Sequence, residues 1–244
     1  MKLHIYKNKQ ELADELALWI CEVVQSTLHK QEFFTLALSG GETPQTLFKK
    51  LATPEFKEKI NWKRVHIFWG DERVVPFNDD RNNAKIAYDL LIDHIGIPAT
   101  QVHMMRTGIE PVFAATEYEK ILKTYFGNTI KSFDLILLGI GNDGHTLSIF
   151  PASPLLEKEE QEWVSAVYNE KQKMYRITLT PGIVNHASQI AFMVTGSDKA
   201  KILKEIIEGN YMPSTLPAQL IKPEKGELYW FLDREAARNL SATE

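Results

Sequence analysis

The fold is decided by the stretch Leu135-Ile136-Leu137-Leu138-Gly139-Ile140-Gly141-Asn142-Asp143-Gly144-His145-Thr146. Its first four residues are apolar without polar alternation, which is typical of a strand covered on both faces in a parallel α/β sheet. Ligands of such sheets bind beyond the carboxyl ends of the strands, where this stretch places glycines, an aspartate and a histidine. The sequence therefore predicts a buried strand that delivers Asp143 and His145 into a cleft.

Gly139, Gly141 and Gly144 also match the G-x-G-x-x-G pattern of dinucleotide-binding turns. Such a turn opens a long helix that carries the pyrophosphate at its N-terminus. Pro151 follows too soon for that helix, so we expect no dinucleotide here and no cofactor elsewhere.

The rest of the chain alternates between apolar runs of strand length and stretches with helical spacing, which favours a layered α/β sandwich. We predict strands at 33–38, 65–69, 163–167, 175–179, 190–194 and 228–232. Helices are predicted at 44–51, 83–92, 112–126 and 198–207, around the apolar positions Leu12, Leu16, Trp19, Ile20 and Val23, and from Asp233. With no linker-like segment, residues 1–244 are interpreted as one domain.

Composition excludes several classes of partner. The formal net charge of the 244 residues is −4, and without a basic stripe or tail we expect no nucleic acid and no anionic membrane as partner. Met1 to Gln10 is polar, and the apolar stretch 16–24 is broken by Glu22, so neither a signal peptide nor a membrane span is expected.

The single cysteine, Cys21, excludes an intramolecular disulfide and a cysteine-based metal site. The histidines lack the H-x-x-x-H and H-E-x-x-H spacings, so we expect no metal centre. A reducing compartment, the cytoplasm, is the predicted location.

A second candidate site is Ser39-Gly40-Gly41-Glu42-Thr43-Pro44, which follows the strand 33–38 and opens a helix. We expect Thr43 to be the N-cap and Pro44 the first helical residue. Backbone N–H groups of the glycines and the helix dipole would form an anion cradle, with hydroxyls from Ser39 or Thr43. The alternative is a plain strand-to-helix turn, and the carboxylate of Glu42 counts against an anion.

A third candidate site is Gly70-Asp71-Glu72-Arg73-Val74-Val75-Pro76, where charged side chains directly follow the strand 65–69. The alternative is a solvated loop with local ion pairs. Two cations lie at later turns, Arg176 and Lys199. Because Lys199 falls in the first turn of a helix, where a cation opposes the dipole, it points to a nearby anion.

The chain resembles 6-phosphogluconolactonases through motifs that follow the family's order and span nearly its whole length: 39–44, 70–76, 139–146, 176–181 and 196–200. The resemblance implies a Rossmann-like three-layer α/β sandwich with a mostly parallel sheet, as in glucosamine-6-phosphate deaminases and ribose-5-phosphate isomerases. It also implies hydrolysis of 6-phospho-D-glucono-1,5-lactone in the oxidative pentose phosphate pathway. The departures are Glu42, Arg81, Leu147 and Ile149, which bear on substrate breadth more than on reaction type.

The resemblance and the chemistry of lactone hydrolysis together suggest roles for the residues. We expect His145 to be the general base and acid, with Asp143 orienting it, although Asp71 stays open as its electrostatic partner. Arg73 and the N–H groups of Gly40 and Gly41 are candidates to hold the oxyanion. The substrate and its phosphate would be held by a set of side chains that comprises Ser39, Thr43, Asp71, Arg176 and Lys199. Glu72 is open between these roles and a tether for Arg73.

Two other functions remain open. Glucosamine-6-phosphate deaminases resemble this chain through Asp143-Gly144-His145, but they carry a glutamate five residues beyond the histidine, where Phe150 stands here. A sugar-phosphate sensor without turnover is the second alternative, and it leaves Asp143 and His145 unexplained. As assembly state we expect a monomer or a weak dimer.

Overall fold

A computed structural model describes residues 1–127, 131–156 and 162–241. In these residues the strands are β1 (Lys2–Tyr6), β2 (Phe34–Leu38), β3 (Val65–Trp69), β4 (Asp71–Arg73), β5 (Leu135–Leu138), β6 (Val164–Asn169), β7 (Met174–Leu179), β8 (Gln189–Val194) and β9 (Glu227–Asp233). The α-helices are α1 (Lys9–Leu28), α2 (Glu42–Leu51), α3 (Pro54–Lys57), α4 (Asn83–Ala87), α5 (Asp93–Ile95), α6 (Pro111–Phe126), α7 (Pro181–Val184), α8 (Ala200–Glu208) and α9 (Arg234–Ala237). A π-helical turn, Tyr88–Ile92, joins α4 to α5.

Six strands form a sheet in the order β1-β9-β8-β5-β2-β3. Every pairing in it is parallel, and helices flank it. The predicted α/β class with a mostly parallel sheet is confirmed. Because the strands run in one direction, their carboxyl ends and the loops that follow them lie along one edge of the sheet.

The middle of the sheet forms the core. Leu135, Ile136, Leu137 and Leu138 in β5 are each fully buried, as an unbroken apolar strand in a parallel sheet requires. Helix α1 covers part of the core with apolar residues at helical spacing, among them Leu12, Leu16 and Ile20. The side chain of Asn8 caps this helix by accepting hydrogen bonds from the backbone N–H groups of Gln10 and Glu11, both at 3.0 Å.

A second sheet is built from two of the predicted strands, 163–167 and 175–179, and one strand that was not predicted. It contains three antiparallel strands in the order β4-β7-β6, and β4 is the segment Asp71–Arg73 that the charge pattern predicted as a loop. Its register places Arg73 opposite Arg176 in β7. Arg176 is therefore in mid-strand and not at the strand end where the sequence placed it.

The start of α2 differs from the prediction. Gly41 is the N-cap, with φ of 100°, and the helix begins at Glu42, so Thr43 is not the cap and Pro44 is not the first helical residue. A φ of this sign suits glycine, which lacks the Cβ that makes the conformation unfavourable. The correction leaves the side chain of Thr43 free of a capping role.

In the described part of the chain, no helix combines the length and the apolarity needed to cross a membrane.

Candidate active site

Four loops meet at the carboxyl edge of the six-stranded sheet. They follow β2, β3, β5 and β8, which are neighbours in the order β8-β5-β2-β3. These loops carry the candidate residues 39–43, 71–73, 139–146 and 195–199. The sheet order therefore brings together the three turns at 39–43, 71–73 and 139–146 and Lys199, each of which the sequence indicated separately.

Asp143 and His145 form a pair in the loop after β5. Oδ1 of Asp143 lies 2.5 Å from Nδ1 of His145, and the hydrogen bond holds the pKa of Asp143 down to about 2. The loop is closed by the N–H of Gly141, which donates to the carbonyl of His145 at 2.8 Å, and by Gly144 at φ of 82°. The partner that contacts the imidazole is Asp143 and not Asp71.

Gly141 is required by this pairing. A Cβ at Gly141 would lie 2.0 Å from Nδ1 of His145 and 2.7 Å from Oδ1 of Asp143. Its φ is not positive, so the glycine is there for space and not for backbone conformation.

Phe150 packs against the other side of the imidazole. The ring centroids of His145 and Phe150 are 4.6 Å apart. Beyond them lies a cavity of about 240 Å³ that is bordered by Asp143 and by residues of two neighbouring segments, 150–154 and 167–171. The imidazole therefore has a carboxylate on one nitrogen and an apolar ring beside it.

The side chain of Arg73, the last residue of β4, extends toward the start of α4. Its Nη1 donates to Oδ1 of Asn83 at 2.6 Å and to the carbonyl of Arg81 at 2.9 Å. Among the described residues no acceptor is assigned to its Nη2 or Nε, so these donors are available to a ligand. Arg81 itself forms an exposed ion pair with Asp79, at 2.6 Å, and its side chain makes no contact with the site.

Glu72 is buried beneath this arginine, with 1% of its surface exposed. Its carboxylate accepts from the backbone N–H groups of Arg73, Asn83 and Ala84 at 2.7 to 2.8 Å. Burial raises its pKa to about 7 in spite of these donors. Glu72 thus binds the backbone of Arg73 and the start of α4, and its tether to Arg73 does not involve the guanidinium.

Asp71 belongs to a separate buried group. Its Oδ2 accepts from the hydroxyl of Ser148 at 2.6 Å and lies 3.8 Å from Nη1 of Arg176. Arg176 is 5% exposed, its Nη2 donates to Gln172, and burial lowers its pKa. Its buried Nε has no hydrogen-bond partner in the described part of the chain.

The loop after β2 and the loop after β8 border a second cavity of about 310 Å³. Its lining includes three features expected of an anion site: the N-terminus of α2 with Gly40 and Gly41, the hydroxyls of Thr43 and Thr195 at 3.0 Å from each other, and Lys199. Nζ of Lys199 donates to Oδ1 of Asn142. Arg176 does not line this cavity, so the structure separates it from Thr43 and Lys199.

Ser39 lies between the two glycine loops, because a Cβ on Gly139 would be 4.0 Å from its Oγ. That hydroxyl donates only weakly, to the carbonyl of Gly40 at 3.4 Å. Glu42 is exposed at the mouth of the cavity, with its carbonyl bound to Nζ of Lys9 at 3.2 Å. Glu42 is therefore exposed, and the backbone N–H groups of the glycines remain as the donors of the predicted anion cradle.

Sequence reasoning missed several residues of this region. Lys9 lines the 310 Å³ cavity. Its position could have been noticed in the sequence, because Lys9, like Lys199 at α8, is a cation at the start of a helix, where it opposes the helix dipole. Asn83 and Ser148 carried no such signal, because each acquires its partner from a different part of the chain.

Among residues 1–127, 131–156 and 162–241, no three His, Cys, Asp or Glu side chains are grouped so that they could hold a metal ion.

Comparisons with known proteins show which family the chain resembles. A family model described as glucosamine-6-phosphate isomerases/6-phosphogluconolactonase matches residues 7–230. The 6-phosphogluconolactonase of Haemophilus influenzae is 41% identical over 205 residues, which cover 84% of this chain and 87% of that protein. The 6-phosphogluconolactonase of Synechocystis sp. is 35% identical over 237 residues, which cover 96% and 95% of the two chains.

Solved structures extend the likeness to the fold. The 6-phosphogluconolactonase from Trypanosoma cruzi superposes with a TM-score of 0.86 at 29% identity, covering 99% of this chain and 97% of that one. A monomeric glucosamine-6-phosphate deaminase superposes with a TM-score of 0.83 at 19% identity, covering 98% and 100%. At that identity the second likeness concerns the fold alone.

Proposed function

Because the chain belongs to the glucosamine-6-phosphate isomerase/6-phosphogluconolactonase family, we propose that it hydrolyses 6-phospho-D-glucono-1,5-lactone to 6-phosphogluconate in the oxidative pentose phosphate pathway. The observation that carries the proposal is the hydrogen-bonded pair of Asp143 and His145 beside Phe150. It supplies a base for water, and within residues 1–127, 131–156 and 162–241 the imidazole contacts one carboxylate, that of Asp143.

His145 activates the water. Since the pKa of Asp143 is held near 2, this residue is a carboxylate at neutral pH and accepts a hydrogen bond from the N–H of Nδ1. The neutral imidazole then has its lone pair on Nε2, which takes a proton from water as the water oxygen attacks the lactone carbonyl. When the tetrahedral intermediate collapses, the C–O bond to the ring oxygen breaks and the same nitrogen returns the proton to that oxygen. The products are a free hydroxyl and a carboxylic acid, which releases its proton to solvent at neutral pH and becomes the carboxylate.

Arg73 and the glycine loop stabilise the oxyanion. The free Nη2 and Nε donors of Arg73 and the N–H groups of Gly40 and Gly41 are the candidate donors. Donors of this kind contribute about 3 to 4 kcal/mol each in other acyl-transfer sites. Their loops meet, because Asn83 contacts both the guanidinium and Gly40.

The phosphate binds in the 310 Å³ cavity. The N-terminus of α2 offers backbone donors and a favourable dipole, while Lys199 supplies charge and Thr43 a hydroxyl. Ser39 borders the same loop. Arg176, with its unpaired Nε, and Asp71 lie beside Arg73, so their proposed contacts are with the sugar ring and not with the phosphate.

Phe150 argues against amino-sugar phosphate deamination. By the family resemblance, that reaction uses a second carboxylate, five residues beyond the histidine, for ring opening and proton transfer, and here that position holds Phe150, whose ring centroid lies 4.6 Å from that of the imidazole. An apolar neighbour gives no proton relay, whereas hydrolysis of a lactone needs none.

The test is the disappearance of freshly generated lactone, followed through coupled 6-phosphogluconate dehydrogenase and corrected for spontaneous hydrolysis. Glucosamine 6-phosphate is assayed in parallel for release of ammonia. We expect acceleration on the lactone only, and its loss in His145→Ala with binding of 6-phosphogluconate largely kept. Ammonia release would replace the proposal by the deaminase function, and binding of sugar phosphates without any turnover would favour a sensor.

We also propose that residues 1–244 act as one domain, in the cytoplasm, as a monomer or weak dimer. The buried thiol of Cys21 and the single parallel sheet support these points. Light scattering over a concentration series tests the assembly state.

A further inference from the structure

The carboxamide of Asn83 forms a hydrogen bond at each end, at the point where three segments meet. Its Oδ1 accepts from Nη1 of Arg73 at 2.6 Å, and its Nδ2 donates to the carbonyl of Asp71 at 2.9 Å. Only 2% of the residue is exposed. We propose that Asn83 is the positioning residue for Arg73, and that it sets the guanidinium against the glycine loop for oxyanion stabilisation.

Gly40 supplies the other wall. A Cβ on Gly40 would lie 2.0 Å from Oδ1 and 2.4 Å from Nδ2 of Asn83, so only glycine lets this loop approach the carboxamide. Asn83 therefore separates Arg73 from the loop after β2 by the thickness of one side chain. Movement of the carboxamide displaces the guanidinium and the backbone donors relative to each other.

Glu72 fixes the orientation of Asn83 from below. Its carboxylate holds the backbone N–H of Asn83 at 2.8 Å and that of Ala84 at 2.8 Å, and its other contact is the N–H of Arg73 at 2.7 Å. One buried group thus binds the backbone of both the positioning residue and the arginine. Because β4 has only three residues, it offers few backbone hydrogen bonds of its own to the sheet. The hydrogen bonds to Glu72 hold Arg73 in place where a longer strand would use more pairing with its neighbour.

Arg73 uses only one of its amino groups in these contacts. Nη1 is directed to Asn83 and to the carbonyl of Arg81, while Nη2 and Nε have no acceptor within the described residues. A guanidinium is planar, so fixing Nη1 orients the other donors as well. This inference rests on the proposed function, in which those donors meet the oxyanion.

The experiment compares Asn83→Ala with Asn82→Ala in the lactone assay. Asn82 is the matched control, because it is equally buried and caps α4 through the N–H of Lys85 at 2.9 Å without touching Arg73. We expect Asn83→Ala to lower kcat about tenfold or more with KM little changed. A guanidinium that is no longer held in place stabilises the transition state less, whereas substrate binding does not depend on it. Asn82→Ala should lower the melting temperature and leave kcat close to wild type.

A second comparison separates positioning from a structural role. In an Arg73→Lys background the ammonium lacks the planar fork, so adding Asn83→Ala should change kcat by no more than about twofold. An equal loss of kcat in both backgrounds, or a full kcat in Asn83→Ala, would overturn the inference. Where Asn83→Ala is too unstable to purify, Asn83→Ser gives the same test, because its hydroxyl is too short to reach Arg73.

The activity of the wild-type protein separates a failure of the proposed function from a failure of the positioning role. Without lactone acceleration by the wild type, the proposed function itself fails. With acceleration and unaffected Asn83 variants, only the positioning role fails.

Discussion

The substitution Gly141→Ala tests the geometry of the Asp143–His145 pair without removing a reacting group. The new Cβ would lie 2.0 Å from Nδ1 of His145, whereas ordinary contacts of a Cβ begin at 3.4 Å, so the imidazole must retreat by about 1.4 Å. A displacement of about 1 Å costs on the order of 100-fold in rate at other active sites. We therefore expect kcat to fall about 100-fold, equivalent to ~2.7 kcal/mol in the activation free energy.

The assay is lactone hydrolysis at saturating substrate, corrected for the spontaneous reaction, with thermal melting as a check on folding. Gly139→Ala is the matched control in the same loop, because its Cβ would meet nothing closer than Oγ of Ser39 at 4.0 Å. Since Gly139 lines the proposed phosphate cavity, any effect of that change should fall on KM and not on kcat. A folded Gly141→Ala protein with kcat within about threefold of wild type would refute the reasoning, because a shift of this size cannot be neutral for a positioned base.

Three further predictions concern titrating groups. Burial raises the pKa of Cys21 to about 11, so a thiol reagent at pH 8 should label the unfolded chain but not the native protein, and rapid native labelling would contradict this. Burial lowers the pKa of His103 from 6.5 to about 4, so the unfolded state binds more protons in that window and stability should fall as the pH drops through it. His103→Gln should flatten this part of the melting-temperature profile, and an unchanged slope would exclude His103 as its source. The pKa of Asp143 is lowered from 3.8 to about 2, so its contribution to stability is present above pH 3.8 and is lost as the pH falls toward 2. Asp143→Asn should remove this loss of stability at acid pH, as measured by denaturation curves. An equal loss in the variant would exclude Asp143 as its source.

The sequence predicted five of the six strands of the main sheet, because burial on both faces leaves a simple pattern, but it missed the edge strand β1, whose residues are exposed or half-buried. The runs at 65–69 and 135–138 contain the residues of β3 and β5 with no error at the ends. Their flanking glycines and charges marked the carboxyl ends, which is why the regions of the candidate site were found without coordinates.

The strand β4, which completes the second sheet, could not be predicted by the same reasoning. Asp71, Glu72 and Arg73 carry no alternation, and a carboxylate such as that of Glu72 is rarely buried. It is buried here because three backbone N–H groups satisfy it, one from the adjacent Arg73 and two, those of Asn83 and Ala84, from another segment. Pairings of that kind depend on the assembled fold and leave no periodic trace in the sequence.

The start of α2 and the role of Asn83 were missed for related reasons. Thr43 is a good N-cap by residue type, yet Gly41 takes the position and Thr43 bonds Thr195 across the cavity instead. Asn83 looks like an ordinary first residue of a helix, and its importance follows only from the 2.6 Å contact with Arg73.

The pairing of the first strand with the last one has a consequence for how the chain acquires its structure during synthesis. β1 lies beside β9 in parallel register, from Lys2 opposite Tyr229 to Tyr6 opposite Asp233. β1 is therefore made long before β9 and has no partner in the sheet until β9 has left the ribosome. Since long-range pairing of this kind slows folding, nascent chains that end before 227 should expose an unpaired β8 edge and depend on chaperones until β9 arrives.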